Sequence, residues 1–384
     1  MQLKDRELLQ KNVNQNSRDG KYMTQAPVLP SRQERLVLLE KVGKSLLAMP
    51  YKSWNFGDST GFEGILETGR LLNDPTYFSF ANGWIRAWAS RPEPFRRLDC
   101  TAPGVAMVEV AHETKDKSII DSLNLLATYL MSRTKDRGIY DTWESLCLIP
   151  PYGGEELPKN EADWLANPPG GTCVDCLHFD PPFFTALGKE TNRKDLIDVG
   201  IEQAHAYIDA LQKENGIFDH FFMNGVEGTW APGWGRGQGW ALLGMLDVLK
   251  NIPGDHAGRK KIQDAATKLI YAMIKLQRED GRWWCVIDSE RSGEEGSTAG
   301  FMATGFARAI KLGIVDESIV KPAMINALAG VIADTDAAGE LQNVTAAVMA
   351  STRKSHYEFT PRGFSVPWGQ GPVALAICET DSLL

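Results

Sequence analysis

The chain has no apolar stretch approaching the ~18 residues of a membrane-spanning helix. Its polar opening, from Met1 to Tyr22, lacks the apolar core of a secretion signal. Both absences point away from a membrane and towards the cytoplasm. No run of Lys or Arg is long enough to track a phosphate backbone, and a net charge of −8 opposes one, so nucleic acid is excluded as a partner. Cysteine is sparse: six residues scattered over 384 do not make a disulfide framework, and reduced thiols are expected. Cys173 and Cys176 have His178 nearby, but the chain holds no further Cys or His pair to complete a tetrahedral zinc site, so no metal is expected. A dithiol redox motif needs a neighbouring strand, and strand-like alternation is nearly absent.

What is present is helical spacing of apolar residues, as in Leu36, Leu39, Val42 and Leu46, or Ile262, Ala266, Leu269 and Met273. Periodicity and punctuation predict about twelve helices, near 34–48, 60–72, 75–90, 102–113, 117–133, 176–188, 193–213, 238–251, 257–278, 296–312, 316–334 and 370–380. Short polar turns alternate with longer connections. Three of the longer ones open alike, with Arg137-Gly138-Ile139-Tyr140, Asn215-Gly216-Ile217-Phe218 and Asp280-Gly281-Arg282-Trp283, a degenerate internal repeat. This alternation suits an all-α ring of helical hairpins, inner helices alternating with outer ones, with the long loops gathered at one functional end. An irregular bundle or an open superhelix would give the same periodicity. A polar extension over 1–30 and one domain over 31–384 are expected, with 335–366 as a long loop of functional character.

Four stretches carry candidate chemistry. Asp175 lies between two thiols and just before Leu177-His178-Phe179, a poorly solvated setting that favours the proton-carrying form of a carboxyl group; the alternative is a helix N-cap. Asp99 also precedes a helix, with Pro103 suited to the first turn, and capping is the stronger reading there. The run from Trp230 to Trp240 fits no dinucleotide-binding register. It sets Trp234, Arg236, Gln238 and Trp240 among glycines, flat apolar faces beside a fork of donors, which suits a sugar ring bearing a carboxylate. A loop merely packed on its tryptophans is the alternative. His220, in Phe218-Asp219-His220-Phe221, is a ligand contact or a satisfied core histidine.

Together these segments resemble the unsaturated uronyl hydrolases, namely the unsaturated rhamnogalacturonyl hydrolases of glycoside hydrolase family 105 and, more distantly, the unsaturated glucuronyl hydrolases of family 88. Cys173-Val174-Asp175-Cys176-Leu177 with Pro182-Phe183-Phe184 looks like the family segment V-D-x-L-x-x-x-x-P-F, and Leu98-Asp99 through Pro103-Gly104 is similar to I-D-x-x-x-P-G. Trp234-Gly-Arg236-Gly-Gln238-Gly-Trp240 resembles W-x-R-G-N-G-W, with Gln in place of Asn. Glu295-Gly-Ser297 and the segment Gly369 to Ala376 match the later signatures. Cys176, His178 and Asp180 replace commoner residues, and the family His shortly before the catalytic Asp is missing. The likeness spans roughly 35–380.

The resemblance implies a six-hairpin α/α barrel and a hydrolase that removes a 4,5-unsaturated uronate from the non-reducing end of lyase-generated oligosaccharides, with no cofactor. It assigns Asp175 as general acid/base and Asp99 across the site. His220 becomes a hydrogen-bond donor, Trp234 and Trp240 ring-stacking faces, and Arg236 with Gln238 contacts to the uronate end, through its carboxylate or its hydroxyls. A sugar epimerase or saturated-uronide hydrolase of the same fold, and a non-catalytic sugar-binding protein, are the rivals. Oligomeric state has no sequence signal.

Overall fold

The computed structural model describes residues 27–51, 56–91 and 103–384. Asp99 and Cys100 therefore lie outside the described residues, as do most of the expected N-terminal extension and the start of the helix expected from 102. Among the described residues twelve long helices form in chain order: α1 (Arg32–Ala48), α2 (Asp58–Leu72), α3 (Pro75–Ala89), α4 (Gly104–Thr114) and α5 (Lys117–Met131), then, after a short α6 (Lys159–Ala166), α7 (Cys176–Thr191) and α8 (Lys194–Leu211). They continue with α9 (Gly235–Asn251), α10 (Arg259–Lys275), α11 (Gly296–Lys311) and α12 (Glu317–Ala333) and, after a short α13 (Lys354–Glu358), end with α14 (Pro367–Thr380). Among the described residues, three small antiparallel ribbons lie in the connections: β1 (Lys135–Asp136) with β2 (Ile139–Tyr140), β3 (Gly171–Cys173) with β4 (Phe221–Met223), and β5 (Trp284–Val286) with β6 (Ser289–Glu294).

All twelve expected long helices are found, with ends shifted by a few residues. Side chains at the caps fix several of them: Ser31 and Glu34 form a reciprocal capping box on α1, and Asp74, Asp116 and Asp316 accept from Thr76, Ser118 and Ser318 amides at the starts of α3, α5 and α12. Packing sorts the helices into two layers. Helices α2, α4, α7, α9, α11 and α14 pack in succession, and α14 returns against α2, which closes an inner ring. Helices α1, α3, α5, α8, α10 and α12 lie outside it. The inner helices are buried nearly all round, the outer ones along one face, as a double layer of helices requires. No helix among the described residues is long and apolar enough to cross a membrane.

The degenerate repeat has a physical cause. Gly138, Gly216 and Gly281 all take positive φ, between 80° and 91°, which a side-chain-bearing residue adopts at a cost. At two of the turns one glutamine ties the turn to the next outer helix. The Gln212 amide donates to Gly216 O and to Ala265 O of α10, and the Gln277 amide donates to Gly281 O and to Ala323 O of α12. The same joint thus locks successive hairpins. The stretch 335–366 forms a long connection as expected, except that α13 interrupts it.

Candidate active site

Helix α7 begins one residue after Asp175, yet the Asp175 side chain makes no capping hydrogen bond. The N-cap reading of this carboxylate therefore does not hold. Its position is set by β3–β4 pairing: Cys173 faces Phe221 in register, and Val174 N donates to His220 O at 2.6 Å, which brings Asp175 beside His220. The His220 Nε2 lies 3.4 Å from Asp175 Oδ2, and its Nδ1 lies 2.7 Å from the Tyr357 hydroxyl. Asp175 is 8% exposed, and its Oδ2 is buried with no hydrogen-bond partner among the described residues. Behind it, Gly244 of α9 approaches the Leu177 carbonyl so closely that a Cβ would stand 2.3 Å from the oxygen. Pro181 has no N–H to bond that carbonyl in the usual i+4 pattern, so α7 and α9 approach there to backbone contact.

Asp175 opens into a cavity of roughly 270 Å³. His220, Trp234 and Arg236 line it, together with Phe179, Trp143 and the segment Ala347 to Ala350. The indole N–H groups of Trp143 and Trp234 are buried without partners among the described residues, so both are donors in reserve. Three thiols, Cys147, Cys173 and Cys176, also line it. Burial pushes the Cys173 thiol well above its ordinary range, with the neighbouring Asp175 acting in the same direction, so it stays a neutral packing group.

Of the residues singled out in the glycine-rich run, the structure brings Trp234 and Arg236 to the cavity and leaves two elsewhere. Gln238 is buried, accepts from Phe218 N and donates to the carbonyls of Phe218 and Trp234, so its amide is spent on holding the loop of His220. Trp240 is fully buried, edge-on to Phe179 and Phe301. Neither lines the cavity, which corrects the expectation that they contact a sugar. Arg236 does line it, but its terminal nitrogens are committed: one donates to Glu295 at 3.0 Å and to the Thr345 hydroxyl, the other to Ala346 O at 2.9 Å. Burial raises the Glu295 carboxyl, but Arg236, Ser297 and Thr298 outweigh it and hold this group below the usual carboxylate range. Arg236 is thus a brace between α11 and the cavity wall.

That wall lies in the 335–366 loop expected to be functional, although no residue of it was singled out from the sequence. Ala347 to Ala350 belong to the long irregular connection, and Met349 takes φ 60°, a strained value for a side-chain-bearing residue. Hydrogen bonds from every side hold it: Arg236 on Ala346, Ala350 N on Cys147 O, and His356 Nε2 on Val348 O at 2.6 Å. Burial depresses His356 to about 4, against the bond to Val348, which acts the other way, so the ring is neutral at pH 7. An unfolded chain protonates this histidine near 6.5 and the folded one only near 4, so between those values the unfolded state binds more protons. Its contribution to stability is full above about pH 6.5 and lost as pH falls towards 4, on the order of 3 kcal/mol. Denaturation midpoints measured from pH 7 to pH 4 should fall, and fall less for His356→Gln.

One helical turn beyond Asp175, five of the six inner helices send charged or ionisable side chains to a second cluster: Glu63, His178, Asp247, Arg308 and Glu379. Ligand atoms of Glu63, His178 and Asp247 lie within 4.8 Å of one another. Arg308, however, donates to both Asp247 oxygens at 2.8 and 3.0 Å and stands 3.6 Å from Glu63, so a guanidinium already supplies the charge a cation would bring. Burial raises both carboxyls. For Glu63, His178 and Arg308 overcome it and hold the group below its usual range, whereas Asp247, with Glu63 beside it, stays above.

The model of Glycosyl Hydrolase Family 88 matches residues 35–384, the barrel from its first helix to its end. The chain belongs to that family, and is a glycoside hydrolase. Among curated proteins, the unsaturated rhamnogalacturonyl hydrolase YesR of Bacillus subtilis (strain 168) is 21% identical over 342 residues, covering 87% of this chain and 91% of that protein. The solved structure of a possible GH105 member from Salmonella enterica superposes with a TM-score of 0.79 at 18% identity, covering 96% of this chain and 99% of the other. The unsaturated glucuronyl hydrolase of Bacillus sp. GL1, described as responsible for degradation of glycosaminoglycan, gives a TM-score of 0.63 at 17% identity over 90% and 96% of the two chains. These likenesses bear out the six-hairpin α/α fold expected from the sequence.

Proposed function

We propose that this family 88 hydrolase removes a 4,5-unsaturated uronate from the end of short oligosaccharides, by hydrating the C4=C5 bond with Asp175 as the single acid and base. The observation that carries this reading is Asp175 itself: a carboxyl group at the wall of a mostly apolar cavity, with a buried oxygen that no described residue satisfies. A carboxyl group at that wall can hand a proton to a bound sugar, and an electron-rich alkene is a fitting acceptor for it. Asp175 gives its proton to C4, and positive charge spreads over C5 and the ring oxygen. Water then adds at C5, and the Asp175 carboxylate takes the proton that water releases. The resulting hemiketal opens and frees the leaving sugar. Because nothing is displaced at the anomeric carbon, the spacing of two carboxylates does not set a stereochemical outcome here.

Around that step, Trp234 presents its face and its indole N–H, Trp143 a second N–H, and His220 its imidazole. Asp99 keeps the role across the site that the family likeness implies. The names of the relatives support the unsaturated uronate as substrate. We place the enzyme in the cytoplasm, since six cysteines scattered over the chain do not make a disulfide framework. The test is turnover of defined unsaturated disaccharides from pectin, ulvan and glycosaminoglycan, followed as loss of the ultraviolet absorbance of the conjugated enol carboxylate. In heavy water the product should carry deuterium at C4. Turnover of saturated uronides alone, or product without that deuterium, would refute the proposal.

A further inference from the structure

The Tyr357 hydroxyl is the only described group within hydrogen-bond distance of His220 Nδ1, at 2.7 Å, and its ring meets the imidazole edge-on. Tyr357 is fully buried on α13, inside the long connection. Among the described residues the hydroxyl meets no other hydrogen-bond acceptor, so its phenolic proton is directed at the imidazole. Burial pushes ionisation of this hydroxyl well above that of a free phenol, partly offset by the Ser351 amide, so the proton is always present to give.

A neutral imidazole carries one proton, and the partner of one nitrogen decides which nitrogen holds it. We infer that Tyr357 is a positioning residue that fixes the tautomer of His220: it donates to Nδ1, and so holds the imidazole proton on Nε2, facing Asp175. This rests on the reading of Asp175 as the acid. The consequence for the reaction is an assignment of the two carboxyl oxygens. Oδ2 stands 3.4 Å from Nε2 and makes no hydrogen bond at rest; it is the oxygen towards which the Nε2 proton points once the carboxylate forms, so Oδ1 is the one that carries the reacting proton to C4 and takes one back from water. His220 keeps its own proton throughout. In the opposite tautomer a lone pair would face the carboxylate that forms when the proton leaves, and that charge would go unsupported.

The experiment is nitrogen-15 spectroscopy of the histidine-labelled native protein and of Tyr357→Phe, with His220→Gln identifying the His220 signals. The chain has six histidines, few enough to resolve. In the native protein at neutral pH, the His220 Nε2 should show the shift of a protonated nitrogen and Nδ1 that of an unprotonated acceptor. Tyr357→Phe keeps the ring and its packing, so a merely structural role would leave both shifts as they are; the inference expects the bias to be lost. With the unsaturated disaccharide, kcat of Tyr357→Phe should fall about 10- to 100-fold while KM changes little. A native His220 protonated on Nδ1, or an unchanged bias in Tyr357→Phe, overturns the assignment. A native protein inert towards every unsaturated uronide would instead overturn the proposed function, and the spectra would still decide the tautomer.

Discussion

Asp175→Asn should lower turnover of an unsaturated disaccharide by about 10²- to 10⁴-fold, the usual worth of a positioned acid or base, with binding largely kept. The size follows from there being one group for two proton transfers. An amide can neither give a proton to C4 nor take one from water, yet it fills nearly the same volume in the cavity lining. Asparagine has the shape of the acid and can carry no charge, so the variant should fold about as well as the parent. Comparing kcat with the calorimetric dissociation constant checks this. A sugar-binding protein of the same fold would show the same affinity in both chains and no turnover in either.

Arg236→Ala separates a brace from a carboxylate holder. If Arg236 served chiefly to hold a uronate, its loss would raise KM and leave the folded chain untouched. The geometry predicts otherwise. Removing the guanidinium leaves Glu295 charged and fully buried, and strips partners from Thr345 and Ala346 at once. Breaking one side of a buried ion pair costs about 3–5 kcal/mol, so the denaturant midpoint should drop sharply, and activity should fall with it as the wall from Ala347 to Ala350 loosens. Glu295→Gln should be milder, since the amide oxygen still accepts from Arg236. Equal midpoints for native and Arg236→Ala chains would refute the brace.

Much of the barrel was legible because an inner or outer helix repeats its apolar face every three to four residues, and Val42, Leu46 or Leu269, Met273 declare that face without help from partners. Asp175 was legible because a carboxylate among apolar and sulfur neighbours is out of place. The errors have a geometric origin. Trp234, Arg236, Gln238 and Trp240 stand close in the string, but α9 starts at Gly235 and carries Trp240 about 9 Å further along its axis than Trp234, past the cavity. Trp143, Tyr357 and the wall at Val348 come from irregular connections, where nothing periodic announces which residue faces inward. Tyr357 meets His220 across 137 residues, a distance no local pattern spans.

The charged knot of Glu63, His178, Asp247, Arg308 and Glu379 fills the centre of the ring beyond Asp175. The toroid is therefore a blind pit and not a tunnel. A polymer cannot be threaded through it, and a sugar in mid-chain cannot bend down to the acid. For the function proposed, only a free terminus would reach bottom, each cut would end the visit, and the severed unit would have to back out through the doorway it came in by.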